Sequence, residues 1–192
     1  MENTTTTPVI VVTEHKMPSL AELTEDYELA FKNDQFNLCM NQPPPAKWIK
    51  VHPYVKGHNY LPIDKVEYLL RKIFKAYSIK ITGQGTAFNG VWVTVRVTAT
   101  NPTTNMVIEH DGIGAIQLQT KKDSSPADLA NINNGALSMA FPLAKTLAIK
   151  DACDHFGKIF GSDLNRKDSE PFRPDNTLRD RINELKEVAN GH

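Results

Sequence analysis

Between Pro62 and Tyr77 the apolar residues Ile63, Val66, Leu69, Leu70, Ile73, Phe74 and Tyr77 recur at three- and four-residue intervals, the spacing that turns one stripe of a helix toward a core. Pro62 stands at the helix start, where a missing N–H costs nothing, and Lys65, Arg71, Lys72 and Lys75 occupy the other face. The period then changes to two. Ile79-Lys-Ile81 predicts a short strand, and GVWVTVRVTAT (90–100) alternates Val91, Val93, Val95 and Val97 with Trp92, Thr94, Arg96 and Thr98, as a half-buried antiparallel strand does. Asn101 to Asn105 reads as a turn, Met106–His110 as the returning strand and Gly112–Gln119 as a further one. A polar loop follows over 120–134, with Lys121 and Lys122 at its root. From Gly135 to Phe160 the pattern is helical again, with apolar positions at 144, 148, 149, 152, 153, 156 and 160 and with Pro142 either in the first turns or marking a break. Helix, strands and long helix in this order predict an α+β fold, an antiparallel three- to four-stranded sheet packed against a long helix.

The flanks differ in character. Residues 1–16, with four consecutive threonines, read as a flexible tail, and 19–33 as a short acidic helix capped by Ser19. Three prolines at 43–45 end whatever precedes them and set an extended segment through Lys50. EPFRPDN (170–176) is a linker pattern, and 177–189 a last helix whose stripe of Leu178, Ile182, Leu185 and Val188 needs a partner from this domain or a neighbouring subunit. The organisation predicted is an acidic N-terminal segment (1–45), a core domain (46–167), and a linker with a C-terminal helix (168–192).

A chain of 192 residues supports one full hydrophobic core. No apolar run approaches the roughly 20 residues of a membrane helix, and the N-terminus lacks the basic start of a secretory signal, so the cytoplasm is the expected compartment. Cys39 and Cys153 lie far apart and outside any paired spacing, which predicts reduced, buried thiols. The formal charge is zero, but it is uneven: residues 1–40 carry two Lys/Arg against seven Asp/Glu, a balance of −5, and residues 41–100 carry nine against two, a balance of +7. A compact basic block in a neutral chain permits an anion-binding face.

Candidate chemistry narrows quickly. Gly83-Gln-Gly85 and Gly112-Ile-Gly114 lack the third glycine and helix onset of a dinucleotide loop, and turns or close packing explain them. Glu109, His110 and Asp111 are adjacent on a strand and alternate faces, so a polar turn explains them better than a metal site. Lys150 and Asp154, Asp154 and Lys158, and Asp151 and His155 are each one helical turn apart, the arrangement of ion pairs on a wet face. H-E-x-x-H, G-x-S-x-G and P-loop patterns are absent, which leaves a metal-dependent hydrolase around Asp151, His155 and His110 as the remaining enzymatic reading. By contrast Lys47, Trp48, Lys50, Tyr54, Lys56, Tyr60 and Lys65 interleave cations and aromatics, the combination that holds single-stranded nucleic acid. A partly buried aromatic core with a solvated lysine rim accounts for that spacing equally well.

Two blocks resemble the Rad-fifty-two type of single-strand annealing recombination proteins, including their phage counterparts. Tyr60, Val66 and Phe74 fall on the family pattern Y-I-x-G-x-x-V-x-x-x-A-N-x-x-F, and Ala144, Thr146, Lys150, Ala152, Phe156, Gly157 and Gly161 on A-x-T-x-x-x-K-R-A-x-R-x-F-G-x-x-x-G. Between them a strand, a turn and HDGIGAI are similar to the family's hairpin and acidic-glycine strand, so the likeness spans residues 46–167. The resemblance implies an annealing-type β-β-β-α core assembled as a homo-oligomeric ring or filament, with single-stranded DNA held by its backbone in a basic groove. It implies ATP-independent annealing in homologous recombination and repair inside a bacterial or phage-infected cell, without metal, cofactor or catalytic residues, and with a single-stranded-DNA-binding protein as a further candidate partner. Lys50 lies where the family has a groove arginine, Lys150 falls on the lysine of the K-R pair, and Lys167 matches a basic residue of a second DNA contact. Asp151 and Asp154 stand where the pattern has arginines, so Lys50, Lys65 or Lys158 must offset them, or Asp154 pairs with Lys150 or Lys158. The candidate DNA-binding set is Lys47, Trp48, Lys50, Tyr60, Lys65, Lys150, Lys158 and Lys167. The competing reading is an oligomeric scaffold that keeps the fold and binds DNA weakly.

Overall fold

The alternation in GVWVTVRVTAT makes this segment the centre of the sheet, because one of its faces carries nothing but branched or small apolar groups. The computed structural model, which describes residues 18–53, 55–125 and 128–190, contains in chain order α1 (Leu20–Leu23), α2 (Tyr27–Met40), β1 (Lys50–Val51), β2 (Asn59–Tyr60), α3 (Ile63–Ile73), β3 (Ala76–Ala87), β4 (Gly90–Thr100), β5 (Val107–Gln117), α4 (Ala136–Asp154) and α5 (Asn176–Asn190). The expected tail at 1–16 and Tyr54 lie outside the described residues. β3, β4 and β5 form an antiparallel sheet in that order, and β1 and β2 a separate two-stranded ribbon. Val91, Val93, Val95, Val97 and Ala99 are all buried on one face of β4, which α4 covers. The class is therefore α+β, a three-stranded antiparallel sheet packed on a long helix.

α4 approaches the sheet closely because both surfaces are nearly bare. Ala136, Ala140, Ala144, Ala148 and Ala152 form a buried row at four-residue spacing, and the last three meet Gly112 and Gly114 of β5. A Cβ on Gly112 would sit 2.2 Å from the Ala148 carbonyl oxygen, and one on Gly114 would sit 2.1 Å from that of Ala144. This contact also corrects the strand count. Met106–His110 and Gly112–Gln119 are one continuous strand, not two, since the glycines are held extended under the helix and no turn forms at Asp111. Glu109 and Asp111 are accordingly mid-strand on the outer face, not in a polar turn. Arg96 donates to both Asp111 carboxylate oxygens at 2.7 and 2.8 Å, with Glu109 at 3.6 Å, and this pairing lowers the Asp111 pKa. Gly83 and Gly85 lie within β3, pressed against the Trp92 ring, rather than at a turn.

Other boundaries shift for local reasons. The acidic helix expected at 19–33 is two helices: Glu22 accepts from the Ser19 N–H at 2.7 Å, Thr24 is extended, and Asp26 restarts the chain as N-cap by accepting from the Leu29 N–H at 3.0 Å. α2 then runs on to Met40, just ahead of the three prolines, and Ala46–Trp48 is a 3-10 turn rather than extended chain. β3 is far longer than the Ile79-Lys-Ile81 core of its pattern. Pro142 lies inside α4 without ending it, whereas Gly157 does end the helical run: its φ is +147°, and a Cβ there would stand 2.5 Å from the Met40 carbonyl oxygen. Beyond it Phe160 and Phe156 pack with Phe74 at the end of α3, and Phe36 of α2 joins Phe74 from outside. α5 packs on α2 and α1 with Leu178 fully buried, but Leu185 and Val188 of its stripe remain exposed. Cys153 is buried, which pushes its thiol up to about 12, but Cys39 is exposed, contrary to expectation, on the last turn of α2, where its neighbour Met40 takes the core position. Among the described residues no helix is long and apolar enough to cross a membrane.

The seam is the part of the fold most sensitive to added volume. Gly112→Ala and Gly114→Ala should each destabilise the protein by about 3 kcal/mol or more, beyond ordinary overpacking, because the new methyl meets helix backbone that cannot rotate away. Urea unfolding of the two variants against the parent chain measures this.

Candidate nucleic-acid interface

The β1–β2 ribbon sets Lys50 directly opposite Tyr60, since the two are Cα partners in its antiparallel register. Side chains paired in this way project from the same face. α4 supplies the third member from ninety residues away: the Lys150 ammonium lies 4.7 Å from the centre of the Tyr60 ring. The seam places it there, because Ala148 and Ala152 are fixed on the sheet and Lys150 must point to the opposite side of the helix. Lys50 is exposed and Lys150 half-buried. Burial lowers the Lys150 pKa, and the charge of Asp154 opposes that shift.

A loop after α4 closes onto the same ribbon. The Asn165 side chain accepts from the Asn59 N–H at 2.7 Å and donates to the Asn59 carbonyl at 2.8 Å, so it is bonded to β2 as a neighbouring strand would be. Lys167 and Arg166, both exposed, follow immediately. Arg166 escaped the sequence reading because nothing in its spacing announces a partner. Its charge reaches Asp154, and it contacts Asp163 at 3.4 Å.

Asp154 sits among these cations and makes no hydrogen bond or ion pair within the described residues. Burial, then the neighbouring Asp151, pushes its carboxyl up to about 6, against the pull of Lys150, His155 and Arg166. The expected ion pairs along 150, 154 and 158 are therefore not formed. Lys158 turns the other way: Ser169 Oγ at 2.7 Å, the Asp163 carboxylate at 2.9 Å and the Glu170 carbonyl take its three donors. Asp151 is also engaged internally, accepting from the Ile113 N–H on the edge of β5 at 2.9 Å.

The remaining candidates form a second cluster. Trp48 meets Tyr68 edge-on at 5.6 Å, and Lys65 lies 5.8 Å over the Trp48 ring while pairing with Asp64 at 2.9 Å. Lys47 is exposed on the adjoining 3-10 turn. The basic block of 41–100 does not form one patch, however. Arg96 is paired on the outer sheet face, Arg71 with Glu67, and Lys75 donates to Asn105.

The enzymatic alternative gains little from the geometry. His110 and His155 face each other at 5.4 Å, with Phe156 against His110 at 4.7 Å, and burial followed by the His155 charge lowers the His110 pKa. Among the described residues no group of three or more His, Cys, Asp or Glu side chains is placed to hold a metal ion. Comparison of the chain with protein-family models finds no match, and comparison with curated proteins finds none.

Asp154 carries a pH signature of defined sign. Its folded pKa lies above its unfolded value of 3.8, so between roughly pH 4 and 6 the native state binds more protons and stability falls as pH rises. Asp154→Asn should stabilise the protein by about 1–2 kcal/mol at pH 7.5, after allowance for solvent screening. The advantage should shrink as pH falls through 6 and vanish below about 4. Thermal unfolding of both chains across that range tests it.

Proposed function

We propose that this protein binds single-stranded DNA through its sugar-phosphate backbone and anneals complementary strands without nucleotide hydrolysis, as an annealing-type homo-oligomer. The observation that carries this reading is that Tyr60 has exposed Lys50 as its register partner on the ribbon and the half-buried Lys150 ammonium of a distant helix against its ring. Lys50 and Lys150 are positions that the resemblance places in its groove, and Tyr60 is a matched residue of its first motif. Cations held on phosphates leave base edges free to sample a complement, and pairing itself needs no covalent catalyst. Lys167, on the loop stapled to β2, extends the path, while the Lys65–Trp48 cluster offers a second contact on α3.

Assembly fits the sheet. β3 and β5 are its two edges, unpaired on their outer sides within the described residues, and apolar side chains lie exposed beside them: Tyr77 and Ile81 on β3, Ile113 on β5, and Leu143 and Leu147 on α4. Two different edges joining head to tail generate a closed ring or a filament, and association would cover surface that is otherwise an aggregation hazard. The second reading, a scaffold that binds DNA weakly, draws support from the unpaired Asp154 in the groove and from the internal engagement of Lys158.

Titration of labelled single strands separates the two. Binding should weaken steeply with salt, and Lys50→Ala and Lys150→Ala should each lower affinity about 3- to 10-fold and reduce the salt slope by about 0.7 for each phosphate no longer neutralised. Complementary strands should anneal faster with protein than without, in the absence of ATP. Annealing no faster than spontaneous pairing, with unchanged affinity in both variants, sinks the proposal and leaves the scaffold reading.

A further inference from the structure

Aromatic residues in a single-strand groove ordinarily serve as stacking platforms for bases. The geometry points to a different use here: we propose that Tyr60 is a positioning residue, whose ring holds the Lys150 ammonium in place for phosphate and does not stack on bases. This rests on the reading above that the groove binds single-stranded DNA.

The Lys150 ammonium lies 4.7 Å from the ring centre, at a distance where the negative face of an aromatic ring attracts a cation. A base arriving on that face would have to expel the charge that its own phosphate needs. The ring is half-buried, and the His52 imidazole stands edge-on to it at 6.1 Å. Lys150 is itself half-buried on α4 and makes no ion pair or hydrogen bond within the described residues, so the ring is what steadies its long side chain. Without the ring the ammonium would be free to swing toward Asp154, one turn along the same helix, and a cation placed for phosphate would pair internally instead. The arrangement recurs at the neighbouring cluster, where the Lys65 ammonium lies over Trp48 and Tyr68 closes edge-on against the same ring. In both places the aromatic backs a lysine. A groove built this way reads the backbone alone and is indifferent to what the bases are.

Two measurements test the role. In the free protein, the ε-methylene NMR signal of Lys150 should show an upfield ring-current shift that Tyr60→Leu abolishes and Tyr60→Phe keeps. In strand binding, Tyr60→Leu should weaken affinity about as much as Lys150→Ala, the double variant should be no weaker than either single one, and Tyr60→Phe should rescue most of the affinity that Tyr60→Leu removes. The parent protein should bind an abasic strand within about 2-fold of a normal one, a comparison that needs no variant to fold. Additive effects in the double variant, or an abasic strand bound 10-fold more weakly with Tyr60→Leu erasing the difference, would overturn the inference and leave DNA binding standing with Tyr60 as a stacking platform. A parent protein that binds no strand at all overturns both.

Discussion

The packing of the alanine row of α4 on the two glycines of β5 is the constraint on which the rest of this structure depends. Backbone meets backbone there, with Gly112 and Gly114 leaving no room even for a methyl group. A helix packed through large side chains can slide or roll as they change rotamer, but one seated on glycine has a single register. That register decides which residues of α4 face outward, and hence that Lys150 meets a ribbon formed ninety residues earlier. It also delivers the Asp151 carboxylate to the edge of β5, where it satisfies the Ile113 N–H. One close approach thus sets the core, one edge of the sheet and the cationic site together.

Charge around the Lys150 site is governed by what each cation is already doing. Arg96, Arg71 and Lys158 are engaged with carboxylates, and Lys65 with Asp64, so the local surplus is much smaller than the chain composition suggests. Lys150 and Arg166 act on Asp154, an ionisable group that burial disfavours in its charged form. An unpaired carboxylate in such a place weakens the local positive field. Under the proposed function, this carboxylate would make the groove hold phosphate less tightly than arginines at 151 and 154 would.

Much of the scaffold was legible in the chain. The alternation of 90–100 identified the central strand with its bounds, and the stripe from Ile63 to Phe74 identified α3, because in both cases a single face is apolar and the period is unambiguous. What failed to show was whatever depends on a partner remote in sequence. Asp111-Gly-Ile-Gly looks like a turn until a helix thirty residues on presses the glycines flat. Lys158 looks like a groove cation until the loop carrying Asp163 and Ser169 takes its donors. Lys50, Tyr60 and Lys150 could be grouped only through the family motifs, since no spacing along the chain relates them. Arg166 matched no motif and was invisible for that reason.

α4 seats one row of residues on the sheet and turns another away from it. The residues seated on the glycines are alanines, sterically confined, while the row that includes Lys150 and Asp154 meets ribbon, loop or solvent. A change of charge on that outer row leaves the seating on the glycines untouched and acts on stability only through the local cost of burying or pairing that charge. An aspartate can stand at 154 because the alanines seat the helix on the sheet whatever charge that position carries, and the cost of burying one carboxylate is met by the rest of the packing.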